Sequence, residues 1–138
     1  MADQVRKVTY CNTVVTNRAA QGAKILAELK RMGVNLTAFS GFPTGGGKSQ
    51  LDFVTEDIAA VRRVFKENGW SLSKSKRGFL IHGKDGVGSA FRHIKKLADQ
   101  KINITAADAV YAGKGRFGMI LWVKPKDYRR AARVLNAK

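Results

Sequence analysis

Five residues, Val34-Asn35-Leu36-Thr37-Ala38, return 68 positions later as Ile102-Asn103-Ile104-Thr105-Ala106, each kept or replaced by an aliphatic near-equivalent. The same shift carries Leu26 onto Ile94, Leu29 onto Leu97, Lys48 onto Arg116 and Phe53 onto Leu121. A repeat of half the chain length implies two similar small domains, and it narrows the choice of folds before any element is assigned. The 138 residues divide into units at 1–73 and 74–138. Units of that size lie near the lower limit for independent folding, so the halves are expected to pack together.

Each half reads as the same run of elements. Val8 to Val15 is rich in β-branched and aromatic residues and predicts a strand. Ile25, Leu26, Leu29 and Met32 form the apolar stripe of a helix, closed by Gly33 in the position of a left-handed cap. Val34–Gly41 and Gln50–Thr55 read as strands joined through Gly45-Gly46-Gly47. Ile58, Val61, Val64 and Phe65 mark a second helix, and Trp70–Ser73 a closing strand. The second half repeats the order: strand Arg77–His82, helix Gly88–Gln100, strands Ile102–Tyr111 and Phe117–Val123, helix Pro125–Asn136. The fold class is therefore α+β, with two ferredoxin-like βαββαβ units, antiparallel sheets and helices on one face of each. The second unit lacks its last strand, so its sheet ends on a short edge or is covered by another chain.

Gly118–Val123 does not alternate, which predicts burial on both faces. Helices cover one face only, so the other is expected to meet a second copy in a homodimer. Cys11, the single cysteine, excludes an internal disulfide and suits a buried strand position. The longest apolar run, Met119–Val123, is far too short for a membrane span, and no apolar stretch follows the first residues, so a cytoplasmic protein without membrane contact is expected.

Two motifs invite a sharper function and fail on context. Gly47-Lys48-Ser49 ends like a phosphate loop, but such a loop opens a helix, whereas Gln50 onward reads as a strand. Arg116-Phe117 resembles the basic-aromatic strand of RNA-recognition motifs, but the aromatics needed to stack bases are too few, with Phe79 the one candidate neighbour. His82 and His93 have no metal-ligand spacing, and no nucleophile stands beside either, so neither catalysis, nor a cofactor, nor a metal is expected.

Charge is lopsided. Residues 1–72 hold ten Lys/Arg against six Asp/Glu, while residues 73–138 hold sixteen against four. On the second unit's helices Arg92, Lys95, Lys96, Lys126, Arg129, Arg130 and Arg133 fall to one side. They are either a solvated face or a patch for nucleic acid or an acidic protein. The strand-to-helix turns, Thr16-Asn17-Arg18-Ala19-Ala20 and Lys84-Asp85-Gly86-Val87-Gly88, each pair a polar residue with small ones before a helix. Small residues let backbone N–H groups reach a carboxylate at the positive helix end, although simple capping by Asn17 and Asp85 gives the same pattern.

Phe79-Leu80-Ile81-His82-Gly83-Lys84-Asp85-Gly86-Val87-Gly88, followed by a helix and then Lys101-Ile102-Asn103-Ile104, resembles the strand, Asp/Asn-x-x-Gly turn, helix and Gly-Ile-Asn-Ile sequence of the ACT domain family. The whole chain is similar to stand-alone proteins of two ACT units. The resemblance implies a non-catalytic regulatory protein binding a small amino acid where two units join through their second strands. Asn17, Arg18, Ala19 and Ala20 would line one site and Asp85, Gly86, Val87 and Gly88 the other. Phe39, Ser40, Ala107 and Asp108 would approach across the seam. The first turn departs from the family in carrying Ala19-Ala20, its glycine displaced to Gly22, and Lys101 replaces the glycine before Ile-Asn-Ile.

Overall fold

In the computed structural model, residues 3–16 and 19–138 are described, the Ala19 side chain excepted. They form six strands and four α-helices: β1 (Gln4–Thr16), α1 (Ala19–Arg31), β2 (Ala38–Gly45), β3 (Lys48–Val54), α2 (Ile58–Glu67), β4 (Lys76–Lys84), α3 (Ser89–Asp99), β5 (Ile104–Gly113), β6 (Arg116–Val123) and α4 (Tyr128–Val134). The class is α+β, and the β1–β3, β2–β3, β4–β6 and β5–β6 ladders are antiparallel. Among the described residues no helix is long and apolar enough to cross a membrane.

The chain divides into two compact units, but not at residue 73. One is Thr9–Lys76, and the other joins Met1–Val8 to Arg77–Lys138. Strand β1 thus serves both. The first unit has the strand order β2-β3-β1. Its register sets Cys11 opposite Phe53 and Phe53 opposite Phe39, so alternation sends Cys11, Leu51 and Phe53 to one face. Ile25 and Leu29 of α1 and Val61, Val64 and Phe65 of α2 pack on that same face. Trp70–Ser73 was expected as a strand and forms no regular ladder. It lies along β1 nonetheless, with the Ser73 N–H donating to the Asn12 carbonyl at 2.8 Å and the Thr13 hydroxyl to the Ser71 carbonyl at 2.7 Å. Lys48 opens β3 and pairs with both its neighbours, so the Gly45-Gly46-Gly47 segment is a hairpin and not a phosphate loop.

The second unit has the order β1-β4-β6-β5. Phe79 and Ile81 of β4 and Phe117, Met119, Leu121 and Val123 of β6 share a face with Leu97 of α3 and with Tyr128, Ala131 and Leu135 of α4. The Phe79 and Tyr128 rings stack at 4.8 Å, and the Arg77 guanidinium sits 4.1 Å above the Tyr128 ring. Two expectations are corrected here. The strand this unit lacks after α4 is supplied by the start of its own chain: Val5 joins the core, and its carbonyl accepts the Lys138 N–H at 2.9 Å. And the non-alternating run needs no second copy to cover it. Ile120 and Trp122, on the face away from α3 and α4, are already buried in the single chain.

Candidate functional site

The turn after β4 is built by a side chain that the sequence pattern passes over. The Ser89 hydroxyl accepts the Gly86 N–H at 2.9 Å and donates back to the Gly86 carbonyl at 2.8 Å. The Asp85 N–H is held by the Gly115 carbonyl of the β5–β6 hairpin at 2.7 Å. Gly88 takes the left-handed conformation, φ 82°, at the cap of α3, where a side chain bearing Cβ would be strained. The cap has no side-chain hydrogen bond, so Asp85 does not cap α3. Its exposed carboxylate makes no ion pair with the described residues.

Beside this turn lies a cleft of about 330 Å³. It is lined by Asp85, Gly86, Gly88, Ser89, Ala90 and Phe91 from the turn and α3, by Ala109, Val110 and Tyr111 of β5, and by Phe117 of β6. First-turn N–H groups of a helix lack partners within it, and α3 presents its first turn to this space. Of the expected residues, Asp85, Gly86 and Gly88 come together here. Val87 is fully exposed at the tip of the turn. Ala107 and Asp108 sit on β5 short of the cleft, and the strand residues that line it are the next three, which plain repeat alignment does not single out.

Of the other expected site, Asn17 and Arg18 lie outside the described residues. Ala19 opens α1, and Ala20 follows it exposed. Phe39 and Ser40 are on β2, with the Phe39 ring 5.7 Å from that of Phe53. Among the described ladders β2 pairs with β3, and β5 with β6.

The basic helical residues are less uniform than their spacing implies. Arg92 binds Asp3 at 2.6 Å, Lys95 binds Asp99 at 2.8 Å, and Arg130 reaches Asp127 at 3.4 Å and the Gln100 carbonyl at 3.0 Å. Lys96, Lys126, Arg129 and Arg133 are exposed without such partners among the described residues. Phe79 and Phe117 are both buried, which removes the stacking surface an RNA-recognition strand requires.

Sequence reasoning missed the most tightly held polar group. Asp3 Oδ2 lies 2.6 Å from Arg92 and 2.7 Å from His93 Nε2, with the Asp3 and His93 side chains more than nine-tenths buried. Burial pushes the Asp3 carboxyl up, but hydrogen bonds from Arg92 and His93 outweigh it, and the group sits below its ordinary value. A Cβ at Gly83 would fall inside this carboxylate, so glycine is what lets Asp3 approach β4. The separation of 90 positions between Asp3 and His93 hides the pair from any local motif.

No protein-family model matches the chain, and no curated protein sequence does. Solved structures do. Protein BT0572 from Bacteroides thetaiotaomicron is similar over 97% of this chain and 88% of its own, with TM-score 0.79 and 14% identity. Aspartokinase alpha and beta subunits match over 99% and 95%, with TM-score 0.66 and 14% identity. The regulatory subunit of aspartate kinase from Thermus thermophilus, in its ligand-free form, matches over 98% and 93%, with TM-score 0.61 and 15% identity. At such identities the likeness establishes the fold alone, the α+β fold that this chain shares with these structures.

Proposed function

We propose that the protein is a non-catalytic regulatory module of two ferredoxin-like, ACT-like units. In this reading it binds a small amino acid in the Asp85–Gly88 cleft and works as a homodimer whose second copy closes that cleft along β5. The observation that carries it is the Asp85 carboxylate, which has no ion pair among the described residues and lines the same cleft as the first turn of α3. A zwitterion fits that polarity. Its α-ammonium would meet Asp85, and its α-carboxylate the Ala90 and Phe91 N–H groups in the first turn of α3, each such charge-assisted bond being worth about 1.5–3 kcal/mol.

The dimer reading rests on β5. This outermost strand leaves Val110 and Tyr111 more than half exposed, beside an exposed Phe91 on α3. An open edge flanked by large apolar side chains is a surface for pairing with another chain. The regulatory subunits of aspartate kinase among the similar structures support a regulatory role over a catalytic one.

A thermal-shift screen of the twenty amino acids tests the reading, because a ligand of the native form must raise the melting temperature. At least one small amino acid should do so at millimolar concentration, and Asp85→Ala should abolish the shift while preserving the fold. No shift with any of them would sink the amino-acid reading, and a monomeric mass by light scattering at micromolar concentration the dimer.

A further inference from the structure

A second cavity, about 520 Å³, lies in the same unit behind α3, within the size range of about 300–1,000 Å³ usual for small-molecule sites. Three cations line it: Lys84 at the end of β4, and Arg92 and Lys96 on α3. Arg92 and Lys96 are four residues apart, so they lie on one stripe of the helix and repel each other.

Their environments differ in a way that a merely solvated face does not explain. Arg92 is tied down by Asp3 at 2.6 Å, and Asp3 is shared with the buried His93. Lys84 and Lys96 make no ion pair with any described residue. His93, also on the cavity wall, spends Nε2 on Asp3 and leaves Nδ1 buried with no partner among the described residues. The carboxylate facing this group that is not already committed is Asp85, so positive charge remains in excess.

We propose that this cavity is a second ligand site, taking a small organic anion through its phosphate or carboxylate group. Lys84 and Lys96 contact the oxyanion directly, and Arg92, oriented by Asp3, completes a three-cation cradle. An oxyanion between Arg92 and Lys96 relieves their repulsion and gains charge-assisted hydrogen bonds from each. The site does not depend on the amino-acid reading. Asp85 and Gly86 border both cavities, whereas Lys84 and Lys96 line this one and not the cleft beside β5.

Calorimetric titration of the intact chain with inorganic phosphate and, separately, with malonate, at ionic strength fixed with sodium chloride, tests the proposal. At least one should bind saturably. Lys84→Gln and Lys96→Gln should each weaken it tenfold or more, and Lys95→Gln, whose ammonium is paired with Asp99 outside the cavity, should not. Preference for phosphate or for malonate names the group recognised. Circular dichroism checks that the variants fold, and any amino-acid shift of the wild type should persist in Lys96→Gln. Absence of saturable binding by both anions overturns the proposal. So does equal weakening in Lys95→Gln, the mark of diffuse attraction to a chain of net charge +16.

Discussion

Asp3 Oδ2 and His93 Nε2 meet at 2.7 Å across 90 residues of chain, joining the first described residue to the middle of α3. With the Val5–Lys138 hydrogen bond, this contact fastens the start of the chain into the unit formed by residues 77–138. That unit therefore depends on a segment that precedes the whole of Thr9–Lys76 in sequence.

Replacing Asp3 by Ala leaves the buried His93 without its partner at Nε2. The expected cost is about 1–3 kcal/mol of stability, the penalty of an unsatisfied buried polar group, read from the urea midpoint at neutral pH. A change within experimental error would mean that the pair does not form in solution.

The same carboxyl sets an acid limb. Because its folded value lies below the ordinary 3.8, the unfolded chain binds more protons between the two. Its stabilisation is complete above 3.8 and is lost as pH falls through the folded value. Stability measured from pH 6 downward should thus fall more steeply for wild type than for Asp3→Asn below about pH 4. Parallel curves would contradict the assignment.

Deleting residues 1–8 should unfasten one unit and spare the other. Hydrogen exchange is expected to quicken in β4, β6 and α4, which lose Val5 and the strand beside β4, while β3 and α2 retain their protection. Uniform loss across the chain would show that the two units unfold as one.

Cys11 is buried, and burial pushes its thiol up to about 11, with smaller opposing effects from Arg62 and Asp52. The thiolate is the reactive form, so an aromatic disulfide reagent at pH 8 should leave native Cys11 intact and modify it at once in denaturant. Rapid reaction of the native protein would place the residue elsewhere.

The Tyr128 hydroxyl is buried with no partner among the described residues, while its ring stacks on Phe79 beneath Arg77. Tyr128→Phe keeps the stack and removes the unsatisfied oxygen. Its stability should equal or exceed wild type by up to about 1 kcal/mol, whereas Tyr128→Ala should lose about 3–5 kcal/mol. Destabilisation by the phenylalanine variant would reveal a hydrogen bond to that hydroxyl.

Much of this was legible in the residues. Under the 68-residue shift Thr9–Thr16 falls on Arg77–Lys84, and these are the matching first strands of the two units. The stripe of Leu26 and Leu29 recurs as Ile94 and Leu97 on the matching helices, because periodicity is a local property that the chain states directly. The Asp85–Gly88 turn was equally readable from a polar residue, glycines and the helix that follows. Its controlling group, Ser89, was not, because hydroxyl-to-backbone bonding depends on how the turn closes and not on composition.

The repeat, the order of elements apart from the strand expected at Trp70–Ser73, the hairpins and the excess of positive charge were determined by the sequence alone, since propensity, patterning and ionisation act over a few residues. Only the tertiary structure decided that β1 is divided between the units, that the start of the chain fills the place after α4, and that Asp3 reaches Arg92 and His93. An open sheet edge accepts any strand of suitable register, and a buried carboxylate any donor within reach. Which one arrives is settled by the path of the whole chain in space.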